Sequence, residues 1–106
     1  MAVVHIVTLT FRPESAGQAV SELAAALDEL GPHTNAILFQ HGPDLRIRDG
    51  NADYAINAVF ADEETFLGYM ASPQHQQIIR DVVTPHLQAR SAVQFVSTTT
   101  ALTPHG

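Results

Sequence analysis

The sequence predicts an α+β fold, a four-stranded antiparallel sheet with its helices on one face and a second copy of the chain against the other. Three observations carry this. Apolar residues recur with period two and then period 3.6 in the order strand, helix, strand, strand, helix, strand. The first strand is apolar on both faces, so it needs cover on both sides. The chain has 106 residues, 45% hydrophobic and 15% charged, enough for one hydrophobic core but not two.

Val3 to Phe11 reads VVHIVTLTF, with Val3, His5, Val7, Leu9 and Phe11 on one face and Val4, Ile6, Thr8 and Thr10 on the other. Ser15 and Gln18 have capping-box spacing. Val20, Leu23, Ala24, Leu27 and Leu30 then recur with helical period until Gly31-Pro32, which predicts a helix from Ala16 to Leu30. Ala36 to Gln40 is a second apolar run broken by Gly42-Pro43, Asp49-Gly50-Asn51 is a turn, and Tyr54 to Phe60 resumes as a strand. The two runs form a hairpin whose long polar connection carries Arg46 and Arg48 as a solvated pair.

Asp62-Glu63-Glu64 places carboxylates at the positive end of a helix dipole, and that helix runs to Ala71. Ser72 and Pro73 suit the N-cap and first position of a further helix, which Pro85 kinks or ends. Ala92 to Val96 closes the sheet, and residues 98–106 read as a tail beyond a domain of residues 1–97. This is the split βαβ, ferredoxin-like order. Helices on one face leave Val4 and Ile6 on the other, and the simplest cover is the same face of a second copy across a two-fold axis.

Composition removes several classes of function. Five basic against eleven acidic residues give a net charge of -6, the wrong sign for a nucleic acid or an anionic membrane partner. All five basic residues are Arg, so no lysine is present to form a Schiff base. The absence of cysteine excludes disulfides, thiolate metal sites and cysteine nucleophiles. The N-terminus lacks a basic segment ahead of an apolar core and a cleavage site, and no run approaches a bilayer span. The expectation is a cytoplasmic protein.

His5 is a titratable ring in an apolar strand face, where an unpaired donor or acceptor costs about 1–3 kcal/mol. It is either a core histidine bonded to a carbonyl or a tyrosine, or part of a site. His75 falls in the first turn of the helix that Ser72-Pro73 starts, where the dipole favours neutral imidazole, the form a general base requires. Next to Gln74, Gln76 and Gln77 it reads equally as a surface histidine. Tyr69 is either a core ring with its tip at the rim or a hydroxyl able to donate to a developing oxyanion. His33, His41 and His86 have no metal-ligand spacing, so no metal is expected.

The pieces His5-Ile6-Val7, Phe11-Arg12-Pro13-Glu14, Arg48-Asp49-Gly50-Asn51 leading into Tyr54, and Tyr69-Met70-Ala71-Ser72-Pro73-Gln74-His75 resemble the stress-responsive A/B barrel (Dabb) family in order and spacing, over residues 3–97. The resemblance implies a ferredoxin-like protomer that dimerises sheet to sheet into an α+β barrel. In the family's plant olivetolic acid cyclase, which closes a linear polyketide by intramolecular aldol condensation, an N-terminal His, a Tyr and a second His match His5, Tyr69 and His75. By that likeness His75 is the general base, and Tyr69 with His5 holds the developing enolate or alkoxide.

Val7, Leu9, Ala24 and Leu27 are then the substrate-binding side chains. Ala24 and Leu27 stand near positions that carry aromatics in the cyclase, which implies a roomier cavity and a different substrate. The expectation is a cofactor-free, polyketide cyclase-like enzyme for a small apolar molecule bearing a carbonyl. The alternatives are a binding or stress-response protein that uses the same pocket without turnover, and a cofactor-independent monooxygenase.

Overall fold

The apolar N-terminal run forms β1 (Ala2–Phe11), an inner strand of a four-stranded antiparallel sheet in the computed structural model, which describes residues 1–98. It is followed by α1 (Ala16–Leu30), β2 (Leu38–Pro43), β3 (Tyr54–Phe60), α2 (Glu63–Ala71), α3 (Pro73–Ile78) and β4 (Leu87–Ser97). The strand order is β2-β3-β1-β4. This is the expected α+β, ferredoxin-like arrangement, with one core between the sheet and its helices.

Register decides which side chains enter that core. Val3, His5, Val7 and Leu9 of β1 stand opposite Phe60, Ala58, Ile56 and Tyr54 of β3, and all eight are buried. From above, α1 inserts Ala19, Leu23, Leu27 and Leu30, the i, i+4 stripe that one helical face presents. Ala19 takes the deep position expected of Val20, which is half-buried. On the opposite side of the sheet, Leu38, Val59, Val4 and Phe95 make one row and Gln40, Asn57, Ile6 and Val93 the next. Leu38, Val93 and Phe95 are exposed.

Several boundaries differ from the sequence reading. Ser15 does not cap α1 with its side chain; its Oγ lies 2.9 Å from His86 Nδ1, and a 3-10 turn over Pro13–Ser15 leads into the helix instead. Gly42-Pro43 does not break β2 but ends it, since an outer strand tolerates a residue without an N–H. The segment after α3 continues as a π-helical turn, Ile79–Val83, and a 3-10 turn, Thr84–His86, before β4 starts five residues earlier than its apolar stretch. The tail expected over residues 98–106 lies outside the described residues from position 99 onward. Among the described residues no helix is long and apolar enough to cross a membrane.

The β2–β3 connection is not a solvated loop alone. Asp53, 8% exposed, accepts the Phe11 N–H at 2.7 Å and binds the Arg46 guanidinium at 2.5 Å, while its own N–H donates to Leu9 O. Arg46 itself sits in the left-handed region at φ 59°. Burial pushes the Asp53 carboxyl up, but the Phe11 N–H and the Arg46 charge outweigh it and hold the group below its ordinary value. A second clasp joins α1 to the hairpin: His41 Nδ1 meets Tyr54 Oη at 2.7 Å, and Nε2 meets Asp28 at 2.9 Å.

Asp53→Ala strands the Phe11 N–H, and we expect a loss of about 1–3 kcal/mol in urea denaturation. Asp53→Asn keeps an acceptor there and should lose less. Equal losses for the two variants would show that the Arg46 pair, not the Phe11 N–H, is what stabilises this corner.

Candidate active site

β1 carries His5 under the helices, and two short helices bring the other rings to it. Asp62 caps α2 by accepting the Thr65 N–H at 2.8 Å, which suits a carboxylate at a helix start. That helix ends one turn after Tyr69, where Ser72 is extended (φ -64°, ψ 141°) and turns the chain. Pro73 begins α3 with its fixed φ, and Ser72 Oγ accepts the His75 N–H at 3.2 Å. The notch folds six residues back on themselves, so the Tyr69 and His75 rings meet at 4.6 Å between centroids. His5 lies 6.3 Å from Tyr69 and 5.0 Å from Phe66.

These three side chains line one cavity of about 100 Å³. Val7, Leu9 and Leu27 line it too, with Leu23, Ile56 and Met70 among the other apolar walls. Ala24 is not among the lining residues; it is half-buried and packs on the core. A larger, open hollow of about 440 Å³ lies on the far side of α1 and α3, over Ala26, His33 and Gln74, away from the three rings.

Burial sets the charge of the site. His5 is lowered to about 4, first by desolvation, then by repulsion from His75 at the acidic pH where that ring is protonated, and from Arg90. Desolvation lowers His75 as well; the Met70 carbonyl opposes the shift and Arg90 adds to it. Burial rather than the dipole of a six-residue helix is therefore the main cause. It also pushes Tyr69 up to about 12. At neutral pH the cavity thus holds two neutral imidazoles and a protonated phenol. His75 is buried, which removes its reading as a surface histidine, and among the described residues its Nδ1 has no hydrogen-bond partner.

The sequence reading missed two residues here, both on β4. Gln94, opposite His5, lies with its amide nitrogen 2.9 Å from His5 Nδ1. The amide N–H donates, which leaves the His5 proton on Nε2. Arg90, opposite Leu9, lines the cavity. The signal for both was parity: counted back from Val96, Gln94 and Arg90 fall on the helix side of a strand longer than its apolar stretch. Among the described residues no group of three or more His, Asp or Glu side chains could hold a metal ion.

An antiparallel ferredoxin-like sheet with its helices on one face defines the structural class. The chain belongs to the stress responsive A/B barrel domain family, whose model matches residues 3–97. It is similar to a dimeric ferredoxin-like protein of unknown function from Thermobifida fusca, at 28% identity and TM-score 0.83, with 92% of each chain covered. It shares its fold with a Dabb family protein from Mesorhizobium loti, at 16% identity and TM-score 0.75, covering 92% of this chain and 98% of that one. The same holds for the hydroxynitrile lyase of Passiflora edulis, at 17% identity and TM-score 0.76, covering 94% and 97%. No curated protein matches the chain.

Lowered histidine values make folding pH-dependent in a defined direction. The unfolded His5 takes up a proton near 6.5 and the folded one only at about 4. Its stabilising contribution is thus complete above pH 6.5 and is lost as pH falls to about 4. NMR titration of the ring protons should give His5 an end-point in that region and His75 one below its ordinary value. His5→Gln should flatten the stability profile between pH 6.5 and 4. A His5 that titrates normally would overturn the buried, neutral assignment.

Proposed function

We propose that this protein is a cofactor-free acid–base enzyme that moves a proton at the carbon beside a carbonyl in a compact, apolar substrate, as in a polyketide cyclase-like intramolecular aldol closure. The observation that carries the reading is the pairing of Tyr69 with His75 at 4.6 Å on a cavity that His5 also lines. Each group is in the state its role requires. His75 is neutral and can accept a proton, Tyr69 keeps its proton as a donor, and His5 offers Nε2–H.

In the forward step His75 takes the proton from carbon, and the electron pair moves onto the carbonyl oxygen, which Tyr69 and His5 hold by hydrogen bonds. The enolate carbon then bonds to a second carbonyl carbon of the same molecule, and the His75 imidazolium returns its proton to the new alkoxide. No redox partner is needed. An apolar cavity of about 150 Å³ holds one benzene, so this one, at about 100 Å³, encloses the reacting carbonyl end of a substrate whose remainder extends out of it, and favours a short substrate over an extended polyketide. The fold also accommodates lyase chemistry in the passion-fruit hydroxynitrile lyase.

A second reading, ligand binding without turnover, rests on the mainly apolar lining of the cavity. His75→Ala and Tyr69→Phe separate the two. With short diketones as substrates, we expect losses in kcat of about 10²–10⁴-fold for the first and about 10²–10³-fold for the second. Substrates that bind but are never turned over by the wild type would leave only the binding reading.

We further propose a homodimer through the outer face of the sheet, where Leu38, Val93 and Phe95 are exposed beside Val4, Ile6 and Val59. The similar protein from Thermobifida fusca is described as dimeric. Sedimentation should give a dimer mass, and Ile6→Asp, a charge in the middle of that face, should give a folded monomer. A wild-type monomer at micromolar concentration would refute the dimer.

A further inference from the structure

The cavity carries a charge asymmetry opposite to that of the chain. Of eleven acidic residues none lines it, whereas one of only five basic residues, Arg90, does. Among the described residues no carboxylate lies within salt-bridge distance of Arg90, although Arg12, Arg46 and Arg80 each have one. Arg90 is exposed, opposite Leu9 on the helix side of β4, four residues along that strand from Gln94, the partner of His5. At the rise of a strand this separation is about 13 Å between backbones. Arg90 is thus an exposed residue of a lining whose three rings, His5, Tyr69 and His75, are buried.

We infer that Arg90 is the carboxylate-recognition residue of this cavity, so that the substrate is a short oxo acid, with its carboxylate at Arg90 and its carbonyl between Tyr69 and His5. This rests on the acid–base reading of the same site and narrows its substrate class. The chemistry favours a carboxylate among anions. A single planar guanidinium matches the two oxygens of a carboxylate in one plane, and with the Tyr69 and His5 donors given to the carbonyl, Thr84 is the other hydroxyl on the lining, fewer donors than a phosphate dianion takes up. The arrangement divides the ligand as it divides the cavity, with the charged end in contact with water and the apolar, carbonyl end enclosed. The positive field that Arg90 exerts on His5 and His75 also opposes a second cation inside, so an entering anion restores local neutrality.

The test is calorimetric binding of levulinate and acetoacetate, each against its methyl ester, to the wild-type protein, Arg90→Gln, Arg90→Lys and His75→Ala. Ring-proton shifts of His5 and His75 report that the ligand is in the cavity. The wild type should bind the acids about tenfold or more tightly than the esters, the scale of one charged hydrogen-bonded pair. Arg90→Gln should abolish that preference, and Arg90→Lys should keep part of it. Arg90 is exposed, so both variants should fold, and unchanged thermal unfolding verifies this. Equal affinity of acid and ester in the wild type, a preference that survives Arg90→Gln, or no binding of either acid at millimolar concentration overturns the inference. His75→Ala keeps the acid preference while losing exchange of the protons beside the ketone for deuterium, the one step of the proposed reaction these ligands can undergo, if both readings hold. A wild type that prefers acids but never speeds that exchange above the buffer rate defeats the catalytic reading alone, and exchange on the esters as fast as on the acids defeats this inference alone.

Discussion

The structure depends on a strand that must be covered on both sides. β1 is an inner strand with an apolar residue at nearly every position, and its two faces have different solutions. The odd face is sealed by α1, α2 and the turns after α3, and fully buried aliphatic and aromatic side chains make that layer the core. The even face is left apolar, with Val93 and Phe95 of β4 and Leu38 of β2 exposed beside it. Placing His5 on the sealed face is what turns a packing layer into a chemical one, because a ring that would be ordinary on the outer face is desolvated on the inner one.

Desolvation does more than shift one histidine. Each of the three rings loses water for the same reason, yet the result differs by residue: burial removes a proton from imidazoles and retains one on a phenol. A single physical cause thus supplies both an acceptor and donors at one pH. The rings are also mutually braced by aromatic packing, with Phe60 5.2 Å from Tyr69 and Phe66 5.0 Å from His5, while the Met70 carbonyl acts on His75. The role of Gln94 is to fix a tautomer.

Long periodic elements were legible in the sequence. α1 follows its apolar stripe from Ala16 to Leu30, and Tyr54–Phe60 alternates as a half-buried strand does. Ser72-Pro73 announced a helix start because cap and first position have separate chemical requirements, and both were met. The clustering of His5, Tyr69 and His75 needed the likeness to a family, since Tyr69 and His75 meet across a local turn but His5 joins them only by tertiary folding. What local pattern could not show were interactions with distant partners. Ser15 had the spacing of a cap but is engaged by His86, 71 residues away. Asp53 looked like a polar loop residue, yet the Phe11 N–H, 42 residues earlier, holds it inside. The first half of β4 is polar because it lies at the sheet edge, and an edge does not advertise itself by hydrophobicity.

The two edges of the sheet are unequal in a way that bears on misassembly. β2 stops at Pro43, which has no N–H to offer a newcomer, and turns into a loop fastened by Asp53. β4 runs for eleven residues with Arg90 as its one charged side chain. Val93 and Phe95 belong to the face proposed for the homodimer, which leaves the strand's edge: a long outer strand with few charges is the template on which foreign strands add. Cross-β growth, under conditions that loosen the native pairing, would therefore begin at β4, on the same strand that carries Arg90 and Gln94 to the cavity.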